Sequence, residues 1–146
     1  MERTQIISFC LGAIQSKHMI LAETYLTDDF VFGRADQKPM NKHEWIDLHD
    51  SLANSLRDFA FNLRDIQEHD GQVTAKMRIS GLHNNVMLLP HIPPVLPTGK
   101  TVVLPTEQIT FSFKGDKISH IEVAHVANGG VEGILEQIGA FAHAHV

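Results

Sequence analysis

The chain has 146 residues, of which 43% are apolar and 20% charged, and its formal net charge is −5. This length predicts a single domain over residues 1–146, and the acidic balance excludes the basic stripe of a nucleic-acid-binding surface. A single cysteine, Cys10, excludes an internal disulfide and a multi-cysteine zinc site, so we expect a cytoplasmic protein. The longest apolar runs are far shorter than the roughly 20 residues of a membrane helix, so we expect no membrane partner.

The N-terminal segment is predicted to form a helix followed by a short strand. Apolar residues recur at helical spacing over residues 4–23, with a break expected near Gly12 or at 16–17. A turn at 27–29 then leads into a brief extended stretch that ends at Gly33. This first helix has one apolar face and is expected to cover part of a sheet.

A second helix is predicted from a capping box of Asn41 and Glu44. Its apolar positions are Trp45, Leu48, Leu52 and Leu56. From Phe59 onward the apolar period changes to two, which predicts a β-hairpin with its turn at 69–71. The apolar positions of the hairpin are Phe61, Leu63 and Ile66 on the first strand and Val73, Ala75, Met77 and Ile79 on the second.

The rest of the chain is predicted to be antiparallel sheet, interrupted by one proline-rich segment. Four prolines make residues 90–99 a loop or an extended arm, because proline cannot donate to a sheet ladder. A last helix is predicted over 131–138, and the tail 141–146 is expected to be loose. Alternation predicts further strands at 101–104, 107–113 and 118–126. Helices followed by antiparallel strands make an α+β domain.

Histidine motifs predict no metal site. His43 and His49 bracket a sequence that suggests the zinc motif H-E-x-x-H, but they are six residues apart and point to different sides of a helix. His143 and His145 lie in the loose tail, where nothing orients their rings. We predict neither a metal nor a cofactor.

Five short segments carry a resemblance to a known family. They are YLTDDFVF (25–32), DGQVTAKMRISGLHNN (70–85), PTGKTVVLP (97–105), KGDKI (114–118) and NGGVEGILEQIG (128–139). In this order and spacing they resemble the nuclear transport factor 2-like superfamily, and within it the SnoaL-like ester or polyketide cyclase group. The resemblance implies a cone-shaped fold, in which N-terminal helices pack on a curved, mainly antiparallel β-sheet that encloses a pocket. It also implies dimers formed through the sheet face.

His83 and Glu107 are candidate catalytic residues. His83 has the same strand parity as Val73, which predicts that it projects into the apolar interior. It is either a core-edge histidine held by one hydrogen bond or a general base that burial keeps neutral. Glu107 stands at the open end of an apolar row, either as a rim salt bridge or as a partner of His83.

The final strand carries two alternating sets, and the sequence leaves open which of them faces the pocket. His120 and Glu122 are further catalytic candidates if their set faces inward. If the set of His120 and Glu122 faces outward, Ile121 and Val123 are buried. If that set faces inward, Ile121 and Val123 form an exposed apolar patch, which commonly marks an interface between proteins. We expect a homodimer. The resemblance implies a tryptophan and an acid on this strand, where the chain has Glu122 and Val126.

The interior of the cone is predicted to bind a small apolar or carbonyl-containing molecule. The candidate ligand-binding residues are Tyr25, Phe30, Trp45, His49, Phe61, Met77 and Phe111. Two functions stay open at this point. One is an enzyme of cyclase, isomerase or hydrolase type that uses general acid–base chemistry, and the other is a ligand-binding or dimeric assembly module without chemistry.

Overall fold

Four helices and nine strands occur in residues 1–35 and 37–140, the part of the chain that the computed structural model describes. The helices are α1 (Arg3–Gln15), α2 (Met19–Glu23), α3 (Lys42–Ser55) and α4 (Gly130–Gln137). The strands are β1 (Leu26–Arg34), β2 (Met40–Asn41), β3 (Leu56–Ala60), β4 (Arg64–His69), β5 (Gln72–Met77), β6 (Ser80–His83), β7 (Thr101–Val103), β8 (Glu107–Lys114) and β9 (Lys117–Val123). The α+β class is confirmed, while the tail 141–146 with His143 and His145 lies outside the described residues.

The helix boundaries follow from local chemistry. The predicted break falls after α1, where Lys17 adopts a φ of 65° that no helix can continue. The capping box of α3 is confirmed by two hydrogen bonds of 2.9 Å. The Asn41 side chain accepts one from the backbone amide of Glu44, and the Glu44 side chain accepts the other from the backbone amide of Asn41. Leu56, predicted as the last apolar position of this helix, begins β3 instead. None of the described helices is long and apolar enough to cross a membrane.

The strands form two sheets. The larger has the order β2-β1-β9-β8-β5-β4, with β1 and β9 parallel and the other pairs antiparallel, and the smaller has the order β3-β6-β7. The mainly antiparallel sheet is therefore confirmed. Two expectations are wrong: β1 begins at Leu26, ahead of the turn expected at 27–29, and the strand predicted through Ile79 leaves the larger sheet after Met77. The predicted alternation of buried residues nevertheless continues from Val73 to His83, because Ile79 and His83 are also buried, at 7% and 0% exposure.

The last strand turns its apolar set inward. Ile121 and Val123 are 0% and 2% exposed, whereas the side chains of His120 and Glu122 are 39% and 49% exposed on the opposite face. The exposed apolar patch considered for this strand is therefore wrong. The strand also ends at Val123, before the predicted end at Val126. The core lies between the helices and the inner faces of the sheets.

A homodimer through the outer face of the larger sheet stays a prediction. Polar side chains occupy that face, with Thr110 in register between Thr74 on β5 and Glu122 on β9. Thr110→Lys places two like charges near the centre of a two-fold interface and is expected to yield monomers. Sedimentation velocity at roughly tens of micromolar protein checks this. A monomer for the unmutated chain would rule the dimer out.

Candidate functional site

A cavity of about 70 Å³ lies between α3, α4 and the inner face of the larger sheet. Among the described residues, four polar side chains line it: Arg34, Gln37, His49 and Glu107. The apolar part of its wall is formed by Phe32, Trp45, Leu48, Leu52, Phe61, Met77, Ile79, Leu104, Ile109, Val123, Val131 and Ile134. A mostly apolar wall with a few placed polar groups is the usual composition of a small-molecule site.

His49 lies on α3 one turn after Trp45, and its hydrogen bond fixes its tautomer. Its Nδ1 lies 2.8 Å from the Trp45 carbonyl oxygen. A carbonyl oxygen can only accept, so Nδ1 carries the proton in the neutral ring and Nε2 carries the lone pair. Nε2 has no hydrogen-bond partner among residues 1–35 and 37–140.

Aromatic packing and burial set the orientation and the charge of His49. The imidazole centroid lies 4.4 Å from the ring of Trp45, 5.5 Å from that of Phe61 and 6.2 Å from that of Phe59. Burial lowers the pKa of His49 from 6.5 to about 4, because removal from water disfavours the charged ring, and the bond to the Trp45 carbonyl opposes this only in part. At neutral pH the ring is therefore neutral, with Nε2 as an acceptor.

A buried ion pair forms the polar end of the cavity. Arg34 Nη1 lies 2.6 Å from Glu107 Oε2, and the two side chains are 4% and 2% exposed. Arg34 ends β1 and Glu107 begins β8, two strands that flank β9 in the larger sheet. Removing two charges from water is costly, and only close mutual contact offsets that cost. The pair therefore presents a fixed cation and a fixed anion beside an apolar space.

Two glycines allow the start of α4 to close against this ion pair. A Cβ on Gly129 would lie 2.7 Å from Glu107 Oε2, and one on Gly130 would lie 3.1 Å from Arg34 Cζ. Gly130 also has a φ of 67°, which disfavours any other residue. The N-terminus of α4 is the positive end of the helix dipole, so its proximity stabilises the negative charge of the Glu107 carboxylate.

The structure brings some of the predicted site residues to the cavity and leaves others elsewhere. Those that line it are Trp45, His49, Phe61, Met77 and Glu107. Phe30 and Phe111 are buried in the core but do not line the cavity, and Tyr25 stacks on Phe9 instead. His120 and Glu122 pair with each other at 2.9 Å on the outer face of the sheet.

His83 is fully buried but does not line the cavity. Its Nδ1 accepts from the Thr98 backbone amide at 3.2 Å and lies 2.9 Å from Thr98 Oγ1. Because an amide can only donate, the neutral ring carries its proton on Nε2. Burial lowers the pKa of His83, so the neutral form is favoured. These contacts join the end of the proline-rich segment to the smaller sheet.

Sequence reasoning missed Arg34 and Gln37. A usable signal for Arg34 is present, because it follows Phe30 and Phe32 on the same parity of β1, so a cation continues a buried row. The glycines at 129 and 130 are a second signal, since such a pair permits close backbone approach. No comparable pattern marks Gln37.

Solved structures resemble the chain along nearly its whole length. A candidate hydroxylase from Streptomyces galilaeus has a TM-score of 0.73 at 14% identity, covering 94% of this chain and 95% of its own. A candidate polyketide cyclase from Xanthomonas campestris has a TM-score of 0.67 at 15% identity, covering 93% and 96%. A nuclear transport factor 2-like protein of unknown function from Cytophaga hutchinsonii has a TM-score of 0.60 at 11% identity, covering 84% and 88%. No family model and no curated protein matches the chain.

These similarities establish the fold. The cone-shaped architecture of nuclear transport factor 2-like proteins, implied by the five sequence segments, is confirmed. The similar structures carry names of different activities, a cyclase and a hydroxylase. Since one fold supports several chemistries, the function has to be inferred from the geometry of the cavity.

Proposed function

We propose that this protein is an enzyme that carries out general acid–base chemistry on a small, carbonyl-containing molecule in the cavity. The observation that carries the proposal is His49, a neutral imidazole that lines an apolar cavity with Nδ1 bound and Nε2 available as a base. The fold similarity to a candidate polyketide cyclase supports the same class of chemistry. Arg34 adds a positive charge at the same cavity.

The proposed reaction begins with proton abstraction. His49 Nε2 takes a proton from the carbon next to the substrate carbonyl, and the electron pair of that C–H bond moves onto the carbonyl oxygen. The positive charge of Arg34 stabilises the resulting enolate oxygen, an effect that is strong in a site with little water. Return of the proton to another atom isomerises the substrate. Alternatively, the enolate carbon attacks a second carbonyl and closes a ring, and the proton on His49 Nε2 passes to the alkoxide oxygen that this attack creates.

The low basicity of His49 restricts the substrate. An imidazole whose conjugate acid has a pKa of about 4 is a weak base, so it removes only a proton that is already acidic. A carbon between two carbonyl groups meets that requirement. Glu107 neutralises most of the charge of Arg34 in the ground state, so a neutral carbonyl compound suits the cavity better than a free carboxylate.

His49→Phe is expected to slow proton exchange at the central carbon of ethyl acetoacetate by about 10²–10⁴-fold, the usual contribution of a positioned base. Phenylalanine keeps the aromatic packing and removes Nε2. The measurement is loss of the proton NMR signal of that carbon in D₂O, with the uncatalysed rate subtracted. His43→Phe is the matched control, because the His43 side chain lies on the same helix and is 82% exposed.

Three outcomes separate the candidate functions. Loss of exchange in His49→Phe with full activity in His43→Phe supports the enzyme. Equal rates in both variants would contradict the role of His49. Quenching of Trp45, the single tryptophan of the chain and part of the cavity wall, without any catalysed exchange would favour the ligand-binding module.

A further inference from the structure

A cleft lies beside the cavity, between α3, α4 and the proline-rich segment. Its volume is about 800 Å³, compared with about 70 Å³ for the cavity. Small-molecule sites usually measure roughly 300–1,000 Å³. The cavity alone is therefore too small for most ligands, while the cleft has the volume that a ligand needs.

The cleft and the cavity are neighbours that share part of their walls. Gln37, Leu48 and Val131 line both spaces, and each of the three side chains is partly exposed. They come from the segment after β1, from α3 and from α4. The two spaces therefore adjoin along these three side chains.

The far wall of the cleft is apolar and partly open to solvent. Leu88 and Leu89, just before the proline-rich segment, lie there with Ile92 of that segment and Leu135 of α4; Leu89 and Leu135 are buried, whereas Leu88 is exposed. Leu88 is 60% exposed, although it belongs to a wall that an apolar ligand would cover. Covering such surface favours binding in proportion to the apolar area removed from water.

The charged groups of the cleft disfavour an anion. Glu44, Asp47 and Asp50 contribute three carboxylates, against the ammonium group of Lys38. Each carboxylate also bonds to a nearby side chain or amide of the chain, so the three groups stay in place. Like charges repel, so a ligand segment in the cleft is expected to carry no negative charge.

We infer that the ligand spans both spaces, with a compact dicarbonyl head in the cavity and a long, uncharged hydrocarbon arm in the cleft. The inference of a dicarbonyl head depends on the proposed function, whereas the inference of a hydrocarbon arm depends only on the cleft. The substrate class is thus a neutral β-keto ester or β-diketone that carries an extended apolar substituent.

A series of acetoacetate esters tests the arm. Methyl, butyl and octyl acetoacetate share one head, and their dissociation constants follow from the quenching of Trp45. Each methylene that leaves water for an apolar surface strengthens binding about fourfold, so the octyl ester, with four more methylenes, is expected to bind about 250-fold more tightly than the butyl ester. An octyl ester whose chain ends in a carboxylate is expected to bind at least about tenfold more weakly than the octyl ester itself.

Two exposed leucines, one just before the proline-rich segment and one within it, supply a matched pair of variants. Leu88→Asp, in the cleft, is expected to weaken binding of the octyl ester by about tenfold or more and to leave the affinity for the methyl ester unchanged. Leu96→Asp is the control, because Leu96 is 71% exposed and does not line the cleft. Equal effects of the two variants, or equal affinities across the ester series, would overturn the inference. Preserved chain-length dependence without catalysed proton exchange would count against the proposed function alone.

Discussion

Glu107→Leu is expected to lower the free energy of unfolding by about 3–5 kcal/mol, the usual cost of removing one partner of a buried ion pair. The carboxylate lies 2.6 Å from Arg34 Nη1, and the Arg34 side chain is only 4% exposed. Without Glu107, the guanidinium keeps its charge and loses the carboxylate at 2.6 Å. Arg34→Met is expected to have a similar effect. Urea unfolding at pH 7 measures both losses.

The double variant distinguishes a buried pair from two independent residues. Arg34→Met with Glu107→Leu is expected to recover most of the loss, since apolar replacements of a whole buried pair are often neutral or stabilising. The pair of Lys114 and Asp29 is the control: its distance is also 2.6 Å, but its side chains are 64% and 63% exposed. Asp29→Asn is expected to leave the free energy of unfolding nearly unchanged, because the pair is exposed to solvent. Additive losses in the double variant would show that the pair is not coupled.

The elements that could be predicted are those whose signals are local. The capping box of Asn41 and Glu44 places two reciprocal hydrogen bonds within three residues, so the start of α3 can be identified without the rest of the fold. The hairpin of β4 and β5 turns at Asp70 and Gly71, both with positive φ, which their residue types favour. In each case the interacting residues lie within a few positions of each other in the sequence.

The parts that could not be predicted depend on distant residues. The alternation of apolar residues alone predicts one strand from Val73 to Ile79. Only the pairing of β6 with β3 shows that the chain changes sheets after Met77. The inward set of β9 depends on β8 and on β1, its parallel neighbour at the other end of the chain. Neither partner can be identified from an alternating pattern of apolar residues.

The candidate site shows the same division. The sequence places His49 near the rim of the pocket as a ligand-binding candidate, and its tautomer is set by the Trp45 carbonyl one turn earlier. Glu107 was singled out as a carboxylate in an apolar row, but its partner Arg34 lies at the end of β1, far away in the sequence. Long-range pairing thus determines the charge environment of Glu107, whereas the tautomer of His49 follows from a contact within its own helix.

Acid is expected to destabilise the protein through His49. Its pKa is about 4 in the folded chain and 6.5 in the unfolded chain, so between these values the unfolded state binds a proton that the folded state does not. The contribution of His49 to the free energy of unfolding is complete above pH 6.5 and decreases as the pH falls, by about 3 kcal/mol in total. His83, whose pKa burial also lowers, acts in the same direction.

His49→Phe isolates this contribution, because phenylalanine keeps the packing against Trp45 and Phe61 and cannot be protonated. Urea unfolding of both proteins at intervals between pH 7 and pH 4 measures the pH dependence, and carboxylates and His83 affect the two proteins alike. The unmutated chain is expected to lose about 3 kcal/mol more than the variant over this range. Parallel curves would mean that His49 is charged as readily in the folded as in the unfolded chain, which removes it as the neutral base of the cavity.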